Sequence, residues 1–228
     1  MFWYGKGDIG KMRLRKKVWA VGEIETNSLL IAEAETLKGK WKNEFGNDNP
    51  IRLEIGCGKG RFVCGMAEKN KNVNFVALER AHKIIAMGAR DARLAEIENV
   101  RFINNDAMNI GNYFEESELE LVYINFCDPW RERAKWAKRR LTHRGFLEVY
   151  RKLLTPNGAV FFKTDNEPLF NFSVSEFTKT GWNLNNVTRD LYEENKGDAT
   201  FAEWNVQTEY EKKFVNSGLK INRLEAYK

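Results

Sequence analysis

The chain has no uninterrupted apolar run of about 18 residues, so no segment reads as a membrane-spanning helix. Its first residues, MFWYGKGDIGKMRLRKK, lack the apolar stretch of a secretory signal, and a cytoplasmic location is expected. Cysteine is scarce. Cys57, Cys64 and Cys127 form no CxxC pair, and their number is odd. That argues for reduced thiols and against a disulfide framework or a thiolate metal site, so no metal is expected. Repeats and low-complexity tracts are missing too. What remains is 228 residues, 43% hydrophobic and 13% aromatic, enough to build the core of one large domain with a small extension.

The net charge of +5 is modest but uneven. Residues 1–17 carry six Lys/Arg and one Asp, and residues 131–144 (RERAKWAKRRLTHR) carry seven Lys/Arg and one Glu. These two segments hold +11, so the remainder of the chain is acidic at −6. Such patches suit contact with nucleic-acid phosphates, where counterion release drives binding; a solvated helix face and a basic tail would look the same.

Apolar runs alternate with helical patterns. IRLEI (51–55), VNFVALE (73–79), VRFINND (100–106), LELVYINF (119–126) and AVFFKTD (159–165) read as strands. RFVCGMAEKN (61–70), AHKIIAMGARDARLAEI (81–97), RGFLEVYRKLL (144–154) and a segment near 167–179 read as helices, the third of them closed by Thr155-Pro156-Asn157-Gly158. This spacing predicts βαβ units: an α/β domain with a mostly parallel sheet and helices on both faces over 51–228. WNLNNVTRDLY and WNVQTEYEKKFV read as late strands of an antiparallel hairpin around a loop at 193–203. Residues 1–50 read as a basic extension with one helix in NSLLIAEAETLKGKW.

Ligands of such sheets lie beyond the carboxyl ends of the strands. Five of those ends fall at or beside a carboxylate: Glu54, Glu79, Asp106, Asp128 and Asp165. Acids gathered at one end of a sheet repel one another unless cations or hydrogen-bond donors compensate. EIGCGKG (54–60) places glycines at 56, 58 and 60 in the first strand-to-helix turn. A dinucleotide fingerprint would need glycine at 61, where Arg61 stands, so a nicotinamide dehydrogenase is disfavoured. Glu79 lies 21 residues past Gly58, where an acid can hold ribose hydroxyls, and Asn105-Asp106 ends the third strand where an adenine would lie. Taken singly these are also ordinary strand-end acids and a turn-forming Asn-Asp pair. A cofactor with an adenosine and an ammonium but no phosphates suits them better than a dinucleotide, and S-adenosylmethionine answers that description.

In order, EIGCGKG, Glu79, NFCDPW, AKRRLT, FKTDN and TEYE resemble the bacterial tRNA (guanine-N7)-methyltransferase family of the TrmB type, over residues 12 to 214. The resemblance implies a class I, Rossmann-like, S-adenosylmethionine-dependent methyltransferase fold. It implies methylation of N7 of a guanine in the variable loop of tRNA by a monomer or homodimer. By motif, Glu54, Gly56, Gly58, Glu79, Asn105, Asp106 and Asp128 would form the cofactor site, with Asp128 also catalytic. Asp165, Thr208, Glu209, Tyr210 and Glu211 would bind the target nucleoside, with Arg139 and Arg140 on the tRNA. The family commonly has Pro-Lys-Lys-Arg-His after the Asp-Pro-Trp; here RERAKWA follows, one residue longer, with Glu132 where a lysine is usual. The family's start near MRLRKK makes Met12 the expected initiator. Trp130 reads first as core packing beneath the loop, and second as a ring stacking beside a base. A methyltransferase acting on an exocyclic amine of nucleic acid is the alternative, weakened because a single proline precedes the aromatic residue; a non-catalytic RNA-binding relic is weakened by the intact Asp128 and glycines.

Overall fold

The computed structural model describes residues 19–130 and 134–228. The basic segment 1–17, the proposed start at Met12, and Glu132 with its neighbours Arg131 and Arg133 lie outside them. Eight strands form one sheet: β1 (Leu30–Ile31), β2 (Ile51–Ile55), β3 (Asn74–Leu78), β4 (Val100–Ile103), β5 (Leu119–Asn125), β6 (Leu154–Thr164), β7 (Asn183–Thr188) and β8 (Asn222–Tyr227). Their spatial order is β1-β4-β3-β2-β5-β6-β8-β7. All neighbours are parallel up to β6; β8 runs antiparallel to both β6 and β7. The α-helices are α1 (Trp19–Thr26), α2 (Trp41–Phe45), α3 (Arg61–Lys69), α4 (His82–Leu94), α5 (Ala134–Ala137), α6 (Arg144–Leu153), α7 (Glu167–Lys179), α8 (Leu191–Glu194), α9 (Phe201–Trp204) and α10 (Glu209–Asn216).

The central strands are buried on both faces, as parallel strands must be when helices cover both sides. All five residues of β3 are buried. Alternation then splits the core. Leu53, Ile55, Val122, Ile124 and Phe162 face one side with Tyr150, Phe170 and Trp41. Phe75, Ala77, Leu121 and Tyr123 face the other with Phe62, Val63 and Ile85 of α3 and α4. The sheet, the helices on both faces and the five strands around the site agree with the expected architecture, with boundaries moved by a few residues.

Two expectations fail. Residues 27–41 do not form one helix. Leu30-Ile31 pair in parallel with Phe102-Ile103, a 3-10 turn follows at Ala34–Leu37, and Trp41 opens α2, fully buried with its indole N–H donating to the Tyr113 carbonyl at 2.8 Å. Residues 204–215 are not a strand. Thr208 is the N-cap of α10: its side chain accepts from the Glu211 N–H at 2.9 Å, and the Glu211 carboxylate accepts from the Thr208 N–H at 3.4 Å. This capping box supplies partners for orphan amides that alternation of polar residues does not reveal. The second strand of the antiparallel pair is β8.

Candidate active site

The chain turns outward in opposite directions from β2 and β5, so a crevice opens beyond their carboxyl ends, where such sheets take ligands. There a cleft of about 920 Å³ is lined by the glycine loop and by all five strand-end acids, Glu54, Glu79, Asp106, Asp128 and Asp165.

The glycine loop is left-handed at Gly56 (φ 77°), Gly58 (φ 58°) and Gly60 (φ 73°), a conformation that side chains with a Cβ resist. Gly60 then caps α3, and Arg61 is the helix's first residue. The loop is seated from behind by Gly88 on α4, where a Cβ would stand 2.7 Å from the Lys59 carbonyl oxygen. That packing role is invisible in the motif itself. Glu79 accepts hydrogen bonds from the Gly58 N–H (3.1 Å) and the Ala81 N–H (2.7 Å), so the loop and the acid fix each other. Asp106 caps the 3-10 turn at Ala107–Asn112 through the Met108 N–H (3.0 Å), with Arg80 at 3.6 Å, and Asn105 accepts from the Asp106 N–H. Donors and a cation thus offset the charge of Glu79 and Asp106.

Glu54 is 2% exposed. Its Oε1 accepts from Asn125 Nδ2 at 2.9 Å, while Oε2 is buried with no partner. Burial pushes this carboxyl up to about 7, against the opposing pull of the Asn125 hydrogen bond and the Lys163 charge. An unpaired buried acceptor in a cleft is incomplete without a donor. Asn125, the last residue of β5, was not singled out from sequence, although its place one strand over from Glu54 follows from the parallel register.

Asp128 stands exposed just past β5, between two residues in left-handed conformation, Phe126 (φ 52°) and Trp130 (φ 49°). Bulky residues rarely adopt that region, and such strain persists only where surrounding contacts impose it. Arg140 supplies one such contact. It is 7% exposed, its Nε donates to the Pro129 carbonyl at 2.9 Å, and its guanidinium lies over Phe172 at 4.4 Å. Arg139 instead is exposed and lines the cleft with Trp130. Trp130 is half-buried at the cleft, not in the core, which corrects the core-packing expectation.

The last wall comes from α10. Thr208, Glu209 and Tyr210 line the cleft, and Lys59 of the glycine loop pairs with Glu209 at 3.0 Å. Glu211 does not line it. It is fully buried, accepting from Lys163 Nζ at 2.6 Å and from the Tyr192 hydroxyl at 2.9 Å. Lys163 also donates to Asn205, and burial lowers its pKa despite the Glu211 charge. The structure therefore brings Glu54, Gly56, Gly58, Glu79, Asn105, Asp106, Asp128, Arg139, Asp165, Thr208, Glu209 and Tyr210 to one cleft, and turns Arg140 and Glu211 inward as supports.

The cleft contains no activated thiol. Burial holds Cys57 well above the usual thiol range and pushes Cys127 up to about 12, so neither is a thiolate nucleophile at neutral pH. Among the described residues no cluster of three or more His, Cys, Asp or Glu could hold a metal ion, and no helix is long and apolar enough to cross a membrane.

A family model described as a putative methyltransferase matches residues 48–224. The tRNA (guanine-N(7)-)-methyltransferase of Clostridioides difficile (strain 630) is 43% identical over 219 residues, covering 95% of this chain and 99% of that protein. The protein of the same name from Clostridium kluyveri is 44% identical over 209 residues, covering 92% and 96%. Among solved structures, an antibiotic-related methyltransferase superposes with TM-score 0.60 at 13% identity, over 83% of this chain and 92% of that one. A SAM-dependent methyltransferase from Aquifex aeolicus superposes with TM-score 0.54 at 11% identity, over 91% and 97%. At those identities the structures speak for the fold alone.

Proposed function

The chain belongs to the tRNA (guanine-N(7)-)-methyltransferase family, and from that premise we propose that it transfers a methyl group from S-adenosylmethionine to N7 of a guanine in the variable loop of tRNA, in the cytoplasm. The observation that carries the reading is one cleft lined both by the glycine loop with its acids and by Asp128 at an exposed, strained turn.

The donor set fits the cofactor. Glu54 Oε2, buried and unpaired, offers an acceptor for the amino-acid ammonium, and Glu79 and Asn105-Asp106 lie where ribose and adenine would be held. When bound, the cofactor supplies an electrophilic methyl on a sulfonium that becomes neutral as the methyl leaves. Guanine N7 already carries an in-plane lone pair, so no residue has to remove a proton from it before attack. The remaining tasks are alignment and support for positive charge as it moves onto the base. Asp128 suits both: its carboxylate accepts from the guanine N1–H or exocyclic amine and opposes the developing charge. Asp165, Thr208, Glu209 and Tyr210 frame the same space and are assigned to the nucleoside, and Arg139 is assigned to the RNA.

The test is transfer from labelled S-adenosylmethionine to unmodified tRNA, followed by borohydride reduction and aniline scission, which cuts at N7-methylguanosine. A cut at the variable-loop guanine is expected. Labelled tRNA that resists scission would overturn the N7 assignment in favour of an exocyclic amine.

A further inference from the structure

The short helix α5 places Trp136 against Trp130, with ring centroids 5.6 Å apart and planes 9° from parallel. The Arg139 guanidinium lies 5.0 Å from the Trp130 ring and 4.6 Å from the Trp136 ring, and Lys135 Nζ lies 5.6 Å from Trp136. Both indoles remain half-buried. Trp130 lines the cleft two residues from Asp128, on a backbone held at a positive φ that a bulky residue adopts only under constraint. Large rings held under strain at the edge of a site, rather than folded into the core, point to a ligand that uses their faces. The flat face of an indole attracts planar cations most strongly among side chains. The Arg139 guanidinium, nearly equidistant from the two rings, sits beside the stacked pair and not on the Trp130 face opposite Trp136.

We propose that Trp130, backed on one face by Trp136, is the stacking platform for the acceptor purine on its other face, with Arg139 bracing the pair from the side. The proposal rests on the reading of the reaction given above. A guanine acquiring positive charge at N7 gains more from an indole face in the transition state than in the ground state, so the platform favours transfer as well as binding. The exposed Arg139 guanidinium, beside the platform, is placed to meet a backbone phosphate. Trp130 touches the base, and Trp136 is a positioning residue that acts through it.

The experiment compares wild type with Trp130→Ala, Trp136→Ala and Trp136→Phe, each checked for thermal stability and for affinity to S-adenosylhomocysteine. Base–aromatic stacking predicts a fall in kcat/KM for tRNA of roughly tenfold or more in Trp130→Ala, a smaller fall in Trp136→Ala and recovery in Trp136→Phe, with cofactor-product affinity unchanged. On wild-type enzyme, 7-methylguanosine monophosphate should quench tryptophan emission and bind several-fold more tightly than guanosine monophosphate. Wild-type kcat/KM in both alanine variants, or no preference between the nucleotides, would overturn the platform. If an alanine variant does not fold, the nucleotide titration repeated on Trp130→Phe decides: loss of the quench keeps the platform, and a wild-type quench overturns it. If the wild-type enzyme fails to methylate N7 of tRNA, the functional reading falls; if it methylates N7 and the variants match it, only the platform falls.

Discussion

The glycine-loop side of the cleft and the side carried by residues 126–140 and 204–214 hold their charged groups by different means. On the first side, backbone amides do the holding: Glu79 takes the N–H groups of Gly58 and Ala81, and Asp106 takes that of Met108. On the second side the holding is done by side chains. Arg140 grips the Pro129 carbonyl, Lys163 meets Glu211 across 48 residues of sequence, and Lys59 reaches 150 residues to Glu209. Local backbone geometry leaves a mark on the sequence as glycines and strand-end acids. A side-chain scaffold does not, because each member looks like an ordinary surface charge until its partner is known.

The sharpest way to break this contrast is to remove one member of the buried pair. Glu211→Ala leaves Lys163 buried without its carboxylate, which costs on the order of 3–5 kcal/mol. For a chain of this size that corresponds to a fall in Tm of roughly 10 °C, read by thermal melting. If Glu211 instead reads the guanine directly, the melting curve will not move and only KM for tRNA will rise. Next in size is Asp128→Ala. Loss of one preorganised group opposing transition-state charge costs about 100- to 1,000-fold in kcat, and single-turnover methyl transfer measures it. Affinity for tRNA should stay near wild type. Unchanged turnover would remove Asp128 from the chemistry and leave the strained turn without a purpose.

The same contrast explains what was legible in the sequence. The five central strands, α3, α4, α6 and α7 were readable because hydrophobic period and stop residues are local properties; α6 does end just before Thr155-Pro156-Asn157-Gly158, although that segment belongs to β6, which starts at Leu154 and not at Ala159 as expected. The acids at the strand ends followed from the same reading, since a parallel sheet brings its carboxyl ends together. TEYE misled because its alternation fits an exposed strand; its Thr-x-x-Glu spacing is also the local signature of a capping box, and the buried pair of Glu211 with Lys163 holds the helix in place. NSLLIAEAETLKGKW misled for a related reason: its helix-compatible pattern yields to the pairing of Leu30-Ile31 with β4 and the burial of Trp41. Trp136 was not singled out in the sequence, because its stacking on Trp130 is a tertiary contact that no local pattern shows.

The smallest of these effects sharpens the comparison from the cofactor side, where Glu54 accepts from the side chain of Asn125. Its carboxyl titrates at about 7 in the ligand-free fold against an ordinary 4.5, because burial disfavours the charge. A folded pKa above the unfolded one means the fold binds the extra proton between those values. Stability of the free protein is therefore greatest below about 4.5 with respect to this group, and is lost as pH rises through 7. An ammonium arriving at Oε2 needs the ionised form, so the sign reverses for binding. Affinity for S-adenosylhomocysteine should fall by at most about tenfold for each pH unit below 7, and should level off above it. Calorimetry in buffers of different ionisation enthalpy should find close to one proton released at pH 6 and almost none at pH 8. Glu54→Gln should bind more weakly at pH 8 and show no such slope. A wild-type slope that survives in Glu54→Gln would assign the proton to another group, and the buried unpaired oxygen would then have no part in holding the cofactor.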